Sequence, residues 1–260
     1  MKELLFVSVC SLALFAQNED ILAKARETLG GDAKLKAVKS IVATGTYDHA
    51  DMEVSFLLPD KFLKEETLSL PNGMVGPVLL EGLDGETAWN DTRQSGNMMI
   101  RMKIDSDDAT RLAGAKTNFA RYTLAMLLTG PGSLPLQFTN AGEAEAPDGK
   151  ADVLDAQGDR FTAKLFIDKT THMPLMMSYR TAQKTRVMTM HRAPEDLDKL
   201  PKPERKEVDV QLHMSDYRKV AGVLLPHLLT WTSNGATTDE FEIKKYTVNG
   251  KLNPDRFRKP

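Results

Sequence analysis

The sequence predicts an α+β protein, in which an antiparallel sheet carries helices on one face. Three observations point there. Short segments with period-two alternation of apolar and polar residues recur along most of the chain. One stretch after residue 105 carries apolar residues at helical spacing instead. A shorter helical pattern lies near the N terminus, and no internal repeat is visible.

The elements follow in order. Leu4 to Ala16 is a mostly apolar run behind Met1-Lys2. It is too short to span roughly 30 Å of hydrocarbon as a helix. It suits the apolar region of an export signal, with Ala16 as the small residue before cleavage. The expectation is a signal peptide over 1–16 and a single domain over 17–260; a short buried helix is the alternative. No later apolar run is long enough to span a bilayer, so no transmembrane span is expected. From Glu19 to Gly30, Ile21, Leu22, Ala25 and Leu29 share one helical face, Asn18 can cap the start, and Gly30-Gly31 stops it. Asp32 to Val38 adds a second helical piece.

Strands are expected at Ser40–Tyr47, Met52–Leu58 and Phe62–Leu70, the last two separated by a Pro59-Asp60 turn. Pro77–Leu83 and a short strand carrying Trp89 flank the Asp84-Gly85 turn. Asp105-Ser106-Asp107-Asp108 opens the long helix, where acidic residues favour the positive helix terminus. Leu112, Ala115, Phe119, Tyr122 and Met126 form its stripe, and Gly130-Pro131-Gly132 stops it. Alternation resumes at Phe161–Asp168, Leu175–Tyr179, Val208–His213, Pro226–Thr232 and Phe241–Val248. The proline-rich stretch from Ala193 to Lys206 reads as an exposed loop rather than a linker, because the strands after it are too few to stand alone.

Composition narrows the function. Of 260 residues, 41% are hydrophobic and 27% charged, and Lys+Arg 34 against Asp+Glu 36 leaves a net charge of −2. A bulk polycation is excluded, so no nucleic-acid partner is expected without a local basic patch. The basic residues from Lys184 to Lys206 are interleaved with acidic ones and read as a solvated loop. Cys10 is the only cysteine and falls in the export segment. Its removal takes disulfides, cysteine zinc sites and thiol nucleophiles with it. No nucleophile elbow, phosphate-cradling loop or His-Glu-x-x-His motif is present. His49 with Asp51, and His213 with Asp216, are the nearest approach to metal-ligand pairs, and two ligands do not make a site. No pair of carboxylates sits among apolar residues in a way that suggests acid catalysis. The expectation is a non-enzyme with no metal and no cofactor. The thirteen methionines, clustered at Met98-Met99, Met176-Met177 and nearby, suit either core gap-filling or an adaptable apolar surface.

Four segments give the chain a likeness to a known family. They are Ala25–Gly31 with Leu35, Val38, Ser40-Ile41 and Gly45; Pro59-Asp60-Lys61-Phe62 with Asp84-Gly85-Glu86-Thr87-Ala88-Trp89; Leu165-Phe166-Ile167-Asp168 with Thr171 and Pro174; and Tyr217–Pro226 with Phe241–Tyr246. In this order they resemble the LolA/LolB/LppX-like superfamily of periplasmic lipoprotein carriers, including its outer membrane lipoprotein-sorting protein-like members. The resemblance implies an incomplete antiparallel β-barrel of about eleven strands, with helices closing its concave face over an apolar cavity. It implies a periplasmic carrier or binder of lipid or lipoprotein acyl chains. An envelope protein-binding or stress-sensing module on the same scaffold is the alternative, and an unrecognised hydrolase the third reading. Met52, Val54, Phe56, Trp89, Leu112, Phe119, Tyr122 and Met126 are the expected lipid-binding wall and lid. The family's soluble carrier has an arginine just before the proline of its P-x-x-F motif, where it ties lid helices together; Leu58 stands there in this chain.

Overall fold

A computed structural model describes residues 20–70, 74–94, 107–146, 149–182 and 206–260. The 1–16 segment expected to be an export signal, Met98-Met99 and most of the 193–206 stretch lie outside the described residues. Twelve strands form one antiparallel sheet in the order β5-β4-β3-β2-β1-β12-β11-β10-β9-β8-β7-β6. They are β1 (Ser40–Tyr47), β2 (Ala50–Leu57), β3 (Lys61–Ser69), β4 (Val75–Asp84), β5 (Thr87–Arg93), β6 (Gln137–Ala146), β7 (Gly149–Gly158), β8 (Phe161–Asp168), β9 (Pro174–Ala182), β10 (Glu207–Val220), β11 (Val223–Ser233) and β12 (Ala236–Val248). Helix α1 covers 20–28, α2 covers Asp32–Ala37, and α3 covers Asp108–Leu127.

Every sequential pair of strands is a hairpin neighbour except β5 with β6, which are the two free edges. Helix α3 lies in the sequence between those edges, and β1 pairs with β12 to join the two halves of the sheet. Register fixes two faces. Ile41, Phe56, Phe62, Leu83 and Ala88 stand opposite one another across β1 to β5, and this row faces α3. Across the join Ile41 pairs with Val248, and a second row of core residues runs from Tyr47 on β1 through Phe241, Leu229 and Met214 on β12, β11 and β10.

The sheet is strongly curved. Strands β4 and β9 are seven places apart, which in a flat sheet is roughly 34 Å. Yet two side chains of α3 bridge them: Asn118 Nδ2 donates to Glu81 Oε1 on β4 at 2.7 Å, Arg121 Nη1 donates to Asn118 Oδ1 at 3.1 Å, and the Arg121 guanidinium carbon sits 3.9 Å from the centre of the Tyr179 ring on β9. Breaks in register give the sheet room to bend, one of them between Thr44 and Gly45. A Cβ on Gly45 would lie 1.9 Å from the Glu242 carbonyl oxygen, so only glycine fits this bend.

Helix α3 begins where Asp107 accepts a bond from Thr110 N at 2.6 Å. It ends at Leu127, before the Gly130-Pro131-Gly132 stop, because Leu128 takes the left-handed cap conformation. The Arg26 guanidinium of α1 donates to the Leu128 carbonyl at 2.7 Å, satisfying one of the carbonyls the helix end leaves open. The two helices and the inner sheet face share one apolar core.

Three expectations need correction. The strands number twelve, not about eleven. The β6–β7 hairpin goes unnamed in the sequence reading, because β6 (QFTNAGEAEA) is an edge strand with few apolar residues to alternate. Trp89 does not face α3. It belongs to a second core on the outer face with Leu63, Leu80 and Phe257, and its Nε1–H donates to the Phe257 carbonyl at 2.8 Å. The C-terminal turn Pro254–Phe257 returns to that face, held also by Arg256 on Glu53 and Glu65. The indole lies across Gly82, whose added Cβ would meet it at 2.1 Å.

Candidate ligand cavity

The space between α3 and the inner sheet face is filled at one end and open at the other. At the filled end Phe119 lies against Phe56 and Phe62, with ring centres 5.7 and 5.6 Å away. Val54, Phe56, Phe119 and Met126 are all fully buried. Leu112 is half-buried against the same core. These residues pack into the core and are not among those lining the cavity at the other end.

At the other end a cavity of about 390 Å³ remains. This is within the ~300–1,000 Å³ of ordinary ligand pockets, at its small end. Of the eight expected residues, only Met52 and Tyr122 line it. Its apolar wall is Met52, Val208, Val210, Leu212 and Trp231, from β2, β10 and β11. Exposed Lys206, Asn234 and Thr238 stand at its rim.

The rest of the lining includes charged residues, beginning beside Met52, whose register partner is Glu66. Lys64 and Glu66 occupy inward positions of β3, between Phe62 and Leu68 in the alternation. Lys64 Nζ lies 3.3 Å from Glu66 and 3.5 Å from Glu81, its register partner on β4. Glu66 is 2% exposed. Glu66 is thus a buried carboxylate among core residues, and with Glu81 it neutralises the lysine between them. Burial works against the Lys64 charge, but Glu81 and Glu66 outweigh it and hold the pKa above the ordinary lysine value. Burial pushes the Tyr122 hydroxyl up, and Lys64 pulls it part of the way back. Tyr47 donates to Asp239 at 2.7 Å and meets the Trp231 ring edge-on at 6.0 Å; burial, then that bond, raises its pKa.

Arg121 completes this charged lining. Its guanidinium stacks on Tyr179, one nitrogen reaches Asn118, and its Nε–H is buried with no hydrogen-bond partner. Burial lowers its pKa, yet arginine keeps its charge in proteins. A signal for this lining exists in the sequence: β3 reads Phe62, Lys64, Glu66, Leu68 on one face, charges in phase with core residues. The arrangement can hold an apolar body together with a polar or charged group. His213 and His227 lie elsewhere, and no group of three or more metal-ligating side chains occurs among the described residues.

Comparison with known proteins follows the same outline. No family model matches the chain, and no curated protein does. Among solved structures, the chain is similar to a domain described as an outer membrane lipoprotein-sorting protein from Vibrio parahaemolyticus. That likeness has 11% identity, covers 93% of this chain and 96% of that one, and has a TM-score of 0.47. It is also similar to a LolA superfamily protein from Nitrosomonas europaea, with 11% identity over 93% and 97% of the two chains and a TM-score of 0.44. At these scores the open curved sheet stands on its own topology, and the functional reading rests on the cavity. No helix among the described residues is long and apolar enough to cross a membrane.

Proposed function

We propose that this chain is an exported, periplasmic carrier or binder of amphiphiles, taking an acyl chain of a lipid or lipoprotein between its curved sheet and α3. One observation carries the reading: sheet and helix leave a cavity of about 390 Å³ lined both by apolar side chains and by buried charges. Burying an acyl chain is worth ~0.8 kcal/mol per CH₂. An enclosed groove collects that stabilisation far better than a flat patch. Among the described residues the lining holds no histidine or cysteine. In this reading the domain spans 17–260, and α3 is the element that closes over the ligand. Met52 and Tyr122 keep their assigned place in the site, joined by Val210, Leu212 and Trp231. Val54, Phe56, Phe119 and Met126 serve the adjoining core.

Native mass spectrometry of protein purified from its own envelope tests this, with palmitate and phospholipid added in a second arm. A bound lipid is expected, and it is expected to disappear in Val210→Trp, which fills the cavity. Protein that is reproducibly empty and also ignores both additions overturns the proposal.

A further inference from the structure

We propose that Arg121 is an anion-binding residue, so that the cavity selects amphiphiles with a carboxylate or phosphate headgroup over neutral ones. This deepens the lipid-binding reading and rests on it. The cavity's charges are unequally matched. Lys64 already has two carboxylates, Glu66 at 3.3 Å and Glu81 at 3.5 Å. Asp239 already accepts the Tyr47 hydroxyl at 2.7 Å. Arg121 makes no ion pair among the described residues; its hydrogen bond is to the neutral amide of Asn118 at 3.1 Å, and its Nε–H is buried and unpartnered.

Glu81 acts on the Arg121 charge only across the bridging Asn118 amide, so an anion set directly on the guanidinium adds a charge-assisted bond that the site lacks. Guanidinium has five donors in a planar fork that matches a carboxylate or phosphate two-point. Stacking on Tyr179 at 3.9 Å occupies the flat face of that fork and leaves its edge for a ligand. The stack also fixes the side chain in place, which removes part of the ordering cost of binding. Tyr179 is the register partner of Val210, and Val210 in turn stands opposite Ser233, so the anion position adjoins the apolar strands β10 and β11. A headgroup on Arg121 therefore leads its hydrocarbon directly onto Val208, Val210 and Leu212.

The experiment compares four probes on the full chain by titration calorimetry: palmitate, hexadecanol, hexadecyl phosphate and inorganic phosphate. Wild type is expected to bind palmitate and hexadecyl phosphate at least about tenfold tighter than hexadecanol, the scale of one charge-assisted bond. Arg121→Met is expected to lose that preference while keeping hexadecanol affinity, and Arg121→Lys to retain most of it. Equal binding of hexadecanol and palmitate by wild type overturns the proposal without any variant, so a poorly folded Arg121→Met cannot shield it. Equal loss of both ligands in a folded Arg121→Met, judged by its circular dichroism, makes Arg121 a packing residue and also overturns it. Inorganic phosphate bound as tightly as hexadecyl phosphate points to a free anion and rejects the amphiphile. Binding of hexadecanol without preference removes only the headgroup assignment, whereas binding of no probe removes the lipid reading with it.

Discussion

Replacing Lys64 by Met tests the charged lining most directly. Lys64 has 14% of its side chain exposed, and its partners Glu66 and Glu81 have 3% and 18%. Removing the cation leaves two carboxylates facing each other with little water. Breaking a buried ion pair costs about 3–5 kcal/mol, because the remaining charge is left uncompensated. Glu81 keeps the Asn118 amide at 2.7 Å and some solvent, which places the effect near the lower end, about 3 kcal/mol. For a domain of this size that lowers Tm by about 6–12 °C. Calorimetry or urea unfolding at pH 7 reads it directly. Adding Glu66→Gln to Lys64→Met is expected to restore most of the loss, since one uncompensated carboxylate disappears. The exposed Lys169–Glu143 pair is the control, and Lys169→Met is expected to leave Tm unchanged. A Lys64→Met loss below about 1 kcal/mol, with no recovery from Glu66→Gln, would refute the reasoning.

Phe119→Ala removes a fully buried ring packed on Phe56 and Phe62, and is expected to cost about 3–5 kcal/mol of unfolding free energy in urea titration. Because Phe119 is not among the residues lining the ligand cavity, lipid affinity per folded molecule is expected to stay within about threefold of wild type, within the ~0.7 kcal/mol such a change represents. His213 is a pH-dependent case. Burial lowers its pKa, so the unfolded chain binds the proton more readily and stability falls as pH drops through and below the ordinary histidine value. His213→Gln is expected to flatten that part of the stability profile between about pH 7 and 5, as measured by thermal melts across the range.

The strands were largely legible because alternation is local. Phe161, Ala163, Leu165 and Ile167 announce β8, and they are its buried residues. Helix α3 was legible from its stripe, although its C-terminal stop falls at Leu128, short of the glycine-proline signal. Trp89 shows where this reading fails. Period two sorts β5 into two faces but does not say which one meets α3, and here both faces carry a core because Phe257 returns to the outer side. The cavity residues were harder still. Lys64 and Glu66 interrupt the apolar face of β3, and Arg121 lies beside the stripe of α3, so nothing within either segment marks them as parts of one site. Asn118 and Arg121 become a bridge only once β4 and β9 approach the same helix.

Sequence alone determined the α+β class, most of the strands, the long helix and the apolar positions on each, because periods of 2 and 3.6 are written in neighbouring residues. The tertiary structure alone decided where that apolar material runs out. Curvature is a property of the whole sheet, and it brings strands seven places apart onto one helix. Phe56, Phe62 and Phe119 fill the space at one end, while polar and charged side chains meet around an opening at the other.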